Sequence, residues 1–152
     1  MILSLNIIAF SVIIAALGIF IGGCAVGTVV TMANLEKEGI EAYNASDCAT
    51  ALEKWQVGLE QARDLDDKRY IGQFLYNIAV AYDKLNQYQE ALDSYQQTLG
   101  IYREEDDKHR EANTLNNIGV VYAKLSQYQD ALDAYQQALI IRRTSKDKQG
   151  EG

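Results

Sequence analysis

Residues 75–99, LYNIAVAYDKLNQYQEALDSYQQTL, return forty residues later as residues 115–139, LNNIGVVYAKLSQYQDALDAYQQAL. Laying residues 71–110 on 111–150 matches 21 of 40 positions, among them Leu75/Leu115, Asn77/Asn117, Tyr82/Tyr122, Ala91/Ala131 and Tyr95/Tyr135. Inside each block the apolar residues recur at helical spacing, in two stretches. Leu75, Ile78, Tyr82 and Leu85 stripe the first, and Tyr88, Ala91, Leu92, Tyr95 and Leu99 the second. Asn86-Gln87 between them leaves room only for a tight turn. A period of this length made of paired helices predicts a stacked helical-hairpin array. Such arrays present an extended face and bind.

Working outward, a weaker copy precedes the two strong ones. Gly39, Ala42, Asp47, Ala51, Leu52, Trp55 and Leu59 keep the same order, and Arg63, Asp67 and Lys68 recur as Arg103, Asp107 and Lys108, then as Arg143, Asp147 and Lys148. Ala91 and Ala131 mark where paired helices come closest, with Tyr82 and Tyr95 filling the space beside them.

These positions resemble the tetratricopeptide repeat (TPR) family. Leu115, Ile118, Gly119, Tyr122, Tyr128, Ala131, Tyr135 and Ala138 fall on its signature. So do Leu75, Ile78, Ala79, Tyr82, Tyr88, Ala91 and Tyr95, with Thr98 at the last small site. The resemblance covers about residues 35–150 and implies a right-handed superhelical stack of three hairpins: a degenerate unit at 34–70, then 71–110 and 111–150. The 40-residue period is longer than the family's usual unit, and proline is absent from the chain. It is similar to the arrays of kinesin light chains, of spindle-orientation adaptors and of bacterial arrays attached to caspase-like (CHAT) proteases. The extra residues fall around Leu99–Glu105, at the end of the second helix.

By the same resemblance, the first helix of each hairpin lines a concave groove for a protein or peptide partner. The positions carried over are Gln73, Tyr76, Asn77, Val80 and Lys84, then Asn113, Asn116, Asn117, Val120 and Lys124. Asparagine offers a donor and an acceptor, so a row of them suits the backbone of an extended peptide. The plainer alternative pairs Asn77 and Asn117 within the array or with water. Polar neutral residues at the other clamp positions argue against a carboxylate clamp built on Lys84 and Lys124.

The rest of the chain is oily. Met1–Leu35 carries no charge, and from Ile7 to Val30 only Ser11 and Thr28 interrupt apolar or glycine residues. A bilayer core about 30 Å thick takes about 20 such residues as helix. Residues 1–33 therefore read as a transmembrane anchor, with a bacterial inner membrane the expected location, and the fold class is all-α. Ile21-Gly22-Gly23-Cys24 has the shape of a lipobox, which would make Cys24 an acylated N-terminus. Against it, residues 1–10 lack the Lys or Arg of a signal peptide. Gly18, Gly22, Gly23 and Gly27 form small-xxx-small patterns that suit helix–helix contact in lipid.

Other functions are excluded by composition. A net charge of −7 opposes nucleic acid, whose phosphates need clustered Lys/Arg. His109 is the only histidine, and no zinc spacing, phosphate loop or nucleophile–base grouping accompanies it. No enzyme, metal or cofactor is expected. Glu104-Glu105-Asp106-Asp107 reads as a solvated loop. The last hairpin is expected to leave Val121, Leu132, Leu139 and Ile140 partly open, which suits a homo-oligomer. The alternatives to an anchored scaffold are a self-assembling structural subunit and a truncated regulatory array of a signalling or protease system.

Overall fold

The computed structural model describes the backbone of residues 24–150 and the side chains of 31–145. Two units are distinguished, Met1–Val30 and Thr31–Gly152. Every described element is helical: α1 Cys24–Asn44, α2 Cys48–Asp64, α3 Lys68–Lys84, α4 Tyr88–Glu104, α5 Lys108–Lys124 and α6 Tyr128–Gly150. From α2 on, each helix packs on the next. The expected membrane span falls largely on residues 1–23, including Gly18, Gly22 and Gly23, and so lies outside the described residues. Cys24 and Gly27 belong to α1, with their side chains outside them too. Among the described residues no helix is long and apolar enough to cross a membrane.

The beat of the chain is shorter than its repeat. Helices α2 to α5 are each 17 residues long, and three-residue turns join them. The two helices of the 71–110 hairpin are therefore equal in length. All five turns have one geometry. The middle residue is left-handed at Ser46, Asp66, Asn86, Asp106 and Ser126, with φ between 52° and 65°. The third residue's N–H reaches back five residues at 2.9 Å, as from Gln87 to the Tyr82 carbonyl and from Asp107 to that of Tyr102. This closes each helix with a Schellman-type cap. Ser, Asn and Asp tolerate the left-handed conformation better than bulkier residues. Asp47, Asp67 and Asp107 then cap the next helix, accepting from the N–H of Thr50, Tyr70 and Arg110.

Close approach comes from glycine set against an aromatic ring. A Cβ on Gly39 would lie 2.2 Å from Trp55, on Gly58 2.3 Å from Phe74, and on Gly119 2.6 Å from Tyr135. Forty residues beyond Gly58 and Phe74 stand Thr98 and Thr114, both fully buried. Each bonds its own helix, Thr98 Oγ1 to the Ser94 carbonyl at 2.9 Å and Thr114 Oγ1 to that of Arg110 at 2.8 Å. One junction pairs the smallest residue with a ring; at the matching positions of the next, both residues are of middling size. That accounts for threonine at the last small site of the middle unit.

Two clusters make the core. Met32, Trp55, Leu59, Phe74 and Ile78 centre one; Leu92, Tyr95, Leu115, Ile118 and Val121 centre the other. Val121, expected on the open flank, is wholly buried there, because it points into the cluster that α4, α5 and α6 share. Leu132, Leu139 and Ile140 do stand open, at 47%, 47% and 61% exposure, with Tyr128 at 70%.

Candidate functional site

The first helices of successive hairpins are tied by contacts 41 residues apart. Lys84 Nζ donates to the Tyr43 carbonyl at 3.0 Å and lies 4.2 Å from its ring centroid. Lys124 Nζ holds Asp83 through both carboxylate oxygens, at 2.7 and 2.6 Å. On the same pair of helices, α3 and α5, Asn117 Nδ2 donates to Tyr76 Oη at 2.8 Å. Of the ten candidate groove residues, Tyr76, Lys84, Asn117 and Lys124 are therefore already engaged in holding neighbouring repeats in register.

A pocket of about 230 Å³ opens where α3, α4 and α5 meet, lined by Gln73, Tyr76, Asn77, Tyr102, Arg110 and Asn113. Four of those six were legible in the sequence. Tyr102 and Arg110 were not, because they break the repeat: the residues forty positions earlier are Ala62 and Tyr70. Their only available signal is that mismatch.

Most polar groups of the pocket are already engaged. Gln73 Nε2 donates to Glu36 Oε1. Asn113 is bonded at both ends of its amide, to His109 Nε2 at 3.2 Å and as acceptor from Arg142 at 3.0 Å. Arg110 Nε sits 3.5 Å from Asp107 Oδ2 and its guanidinium 5.6 Å from the Tyr102 ring centroid. Burial pushes the Tyr102 phenol up to about 12 against the pull of Arg110, so its hydroxyl is a neutral donor at physiological pH. Tyr76 meets Tyr95 edge-on with centroids 5.8 Å apart.

Asn77 differs. Its Nδ2 is buried without a hydrogen-bond partner, a condition that among the described side chains only Gln61 Oε1 shares. An unpaired buried donor costs about 1–3 kcal/mol, a cost that an acceptor entering the pocket removes. Of the remaining candidates, Val80 packs against the core, and Val120 and Asn116 are half-buried. The arrangement presents hydrogen-bond donors and aromatic surface. Among the described residues no cluster of His, Cys, Asp or Glu is arranged to hold a metal ion.

Residues 70–144 match the tetratricopeptide repeat family. Among solved structures, the TPR domain of Arabidopsis FLU aligns with a TM-score of 0.72 at 17% identity, covering 77% of this chain and 98% of that one. The apo form of RapI aligns at 0.73 and 24% identity, covering 82% of this chain and 45% of that one. The N-terminal domain of stress-induced protein-1 from C. elegans aligns at 0.66 and 20% identity, covering 82% and 97%. At these identities the likeness is one of fold. No curated protein matches the chain in sequence.

Proposed function

With residues 70–144 belonging to the tetratricopeptide repeat family, we propose that the chain is a non-catalytic scaffold that holds a protein or peptide partner in its concave groove, close to a bilayer. The supporting observation is the unpartnered Asn77 amide nitrogen in the α3–α4–α5 pocket. A peptide carbonyl is the acceptor it lacks, and Asn116, half-buried on the next first helix, extends the row. Asn117 is left out of the test because it bonds Tyr76. Changing Asn77 and Asn116 together to alanine should lower partner capture about tenfold, as expected when hydrogen bonds worth about 1.4 kcal/mol are lost. Helicity by circular dichroism should not change. Undiminished capture would remove the groove from the proposal.

Anchoring rests on residues 1–33, whose uncharged length suits a bilayer. On detergent phase separation the full chain should enter the detergent phase, and a chain lacking residues 1–30 the aqueous phase. An intact Met1 by mass spectrometry supports a spanning anchor, whereas an acylated Cys24 replaces it with a lipoprotein.

A second reading, self-assembly, is favoured by the apolar stripe of Tyr128, Leu132, Leu139 and Ile140 on α6. Sedimentation of the detergent-solubilised protein separates the two. A strict monomer that still captures a partner eliminates the assembly reading.

A further inference from the structure

A second cleft, of about 340 Å³, lies between α4 and α6 with α5 beneath it, away from the pocket that holds Asn77. Its floor is apolar: Leu99, Leu115, Ile118 and Ala134 line it and are buried. Its rim is acidic. Asp130 and Asp133 stand on the α6 wall and Arg103 on the α4 wall.

The charges on that rim do not cancel one another. Arg103 spends its guanidinium on buried Glu111, Nε to Oε1 at 2.9 Å. Asp133 accepts only from the neutral amide of Gln129, at 3.0 Å, and among the described residues Asp130 has no ion pair or hydrogen bond. Asp130 lies in the first turn of α6. Two uncompensated carboxylates therefore overhang an apolar floor.

The internal duplication carries the same rim. Forty residues earlier Arg103, Asp130 and Asp133 are matched by Arg63, Glu90 and Asp93, and the floor by Leu59, Leu75 and Ile78. The two strong copies agree at only 21 of 40 positions, yet these exposed charged sites kept their sign. Core packing does not require charge there.

We propose that the α4–α6 cleft is a second binding site, specific for a basic amphipathic segment of a protein partner. An apolar side chain sits on the floor, and a neighbouring lysine or arginine meets Asp130 and Asp133. A charge pair over a partly desolvated floor gives more than an open surface pair, and it sets which partners are rejected. This site is independent of the groove.

The probe is a fluorescein-labelled Leu/Lys amphipathic peptide, with a Leu/Glu peptide of the same pattern as its counterpart, titrated by anisotropy onto the full chain. The Leu/Lys peptide should bind, and the Leu/Glu peptide should not. Asp130→Asn combined with Asp133→Asn should weaken binding about tenfold or more. Glu53→Gln with Glu60→Gln, which makes the same change in net charge on α2, should leave it within about twofold, as screened distant charges do. Asn77→Ala should also leave it unchanged. The proposal is overturned if the Leu/Lys peptide does not bind, if both double variants weaken it equally, or if the loss follows Asn77 instead.

Discussion

Asp66 and its four counterparts show how much rests on single residues at the turns. Each stands left-handed without being glycine, which costs about 1–2 kcal/mol relative to a right-handed conformation. Asp66→Gly should therefore raise the unfolding free energy by about 0.5–1 kcal/mol, net of the greater freedom glycine has in the unfolded chain. Urea denaturation measures this, and an unchanged or lower midpoint would count against the turn geometry. Glu111 makes a residue-scale prediction of a different kind. It is 5% exposed and bonded to Arg103 at 2.9 Å and Lys108 at 3.0 Å. Burial alone would raise its pKa, but those two hydrogen bonds outweigh it, and the carboxyl is held below its ordinary value. A depressed folded pKa contributes stability above the unfolded value, about 4.3 for glutamate, and that stability is lost as pH falls through the folded value. The stability gap between the chain and its Glu111→Gln variant should thus be full at neutral pH and close below pH of about 4. A gap of constant size from neutral to acid would show the ion pairs to be idle.

Between helices, the junctions obey a rule of complementary sizes. Gly58 faces Phe74, while the equivalent Thr98 and Thr114 are both of middling size and fully buried. Gly58→Ala should cost about 1–3 kcal/mol, because its new methyl meets the ring and a packed interior yields little. Adding Phe74→Thr should not restore the full loss, since removing a buried ring costs about 3–5 kcal/mol on its own. It should instead give a double variant more stable than the sum of the two single changes. Additive losses in the double-mutant cycle would mean the residues do not share one space. Gly119 is the gentler case: the middle unit carries Ala79 at that position, opposite Tyr95, and Ala79 is wholly buried there.

Across the molecule, stability in an array is a sum of units and their interfaces. Leu92 and Leu132 hold the same place in successive repeats, yet they are 4% and 47% exposed. Leu92→Ala should cost about 2–5 kcal/mol, and Leu132→Ala less than about 1 kcal/mol. Should the second change prove as damaging as the first in the intact chain, something covers α6, and the self-assembly reading gains. Amide exchange should follow the same gradient, slow in α3 to α5 and faster toward the end of α6.

Helices, their pairing and their order were legible in the residues alone. Apolar spacing is a local property of a chain, and the repeat copied it twice. The row of asparagines was legible as well, but not what each does. Asn77 and Asn117 occupy the same position in their repeats, and the sequence treats them alike. Only the stacked structure gives Asn117 a tyrosine hydroxyl and leaves Asn77 a buried donor with nothing to hold. Lys84 and Lys124, read as groove cations, turn out to tie each repeat to the one before. Tyr102 and Arg110 line the pocket without repeating, so a comparison of copies shows them only as a mismatch. Periodicity encodes what neighbours along the chain share. Which polar groups find partners depends on contacts 41 residues apart, and those exist only once the hairpins have stacked.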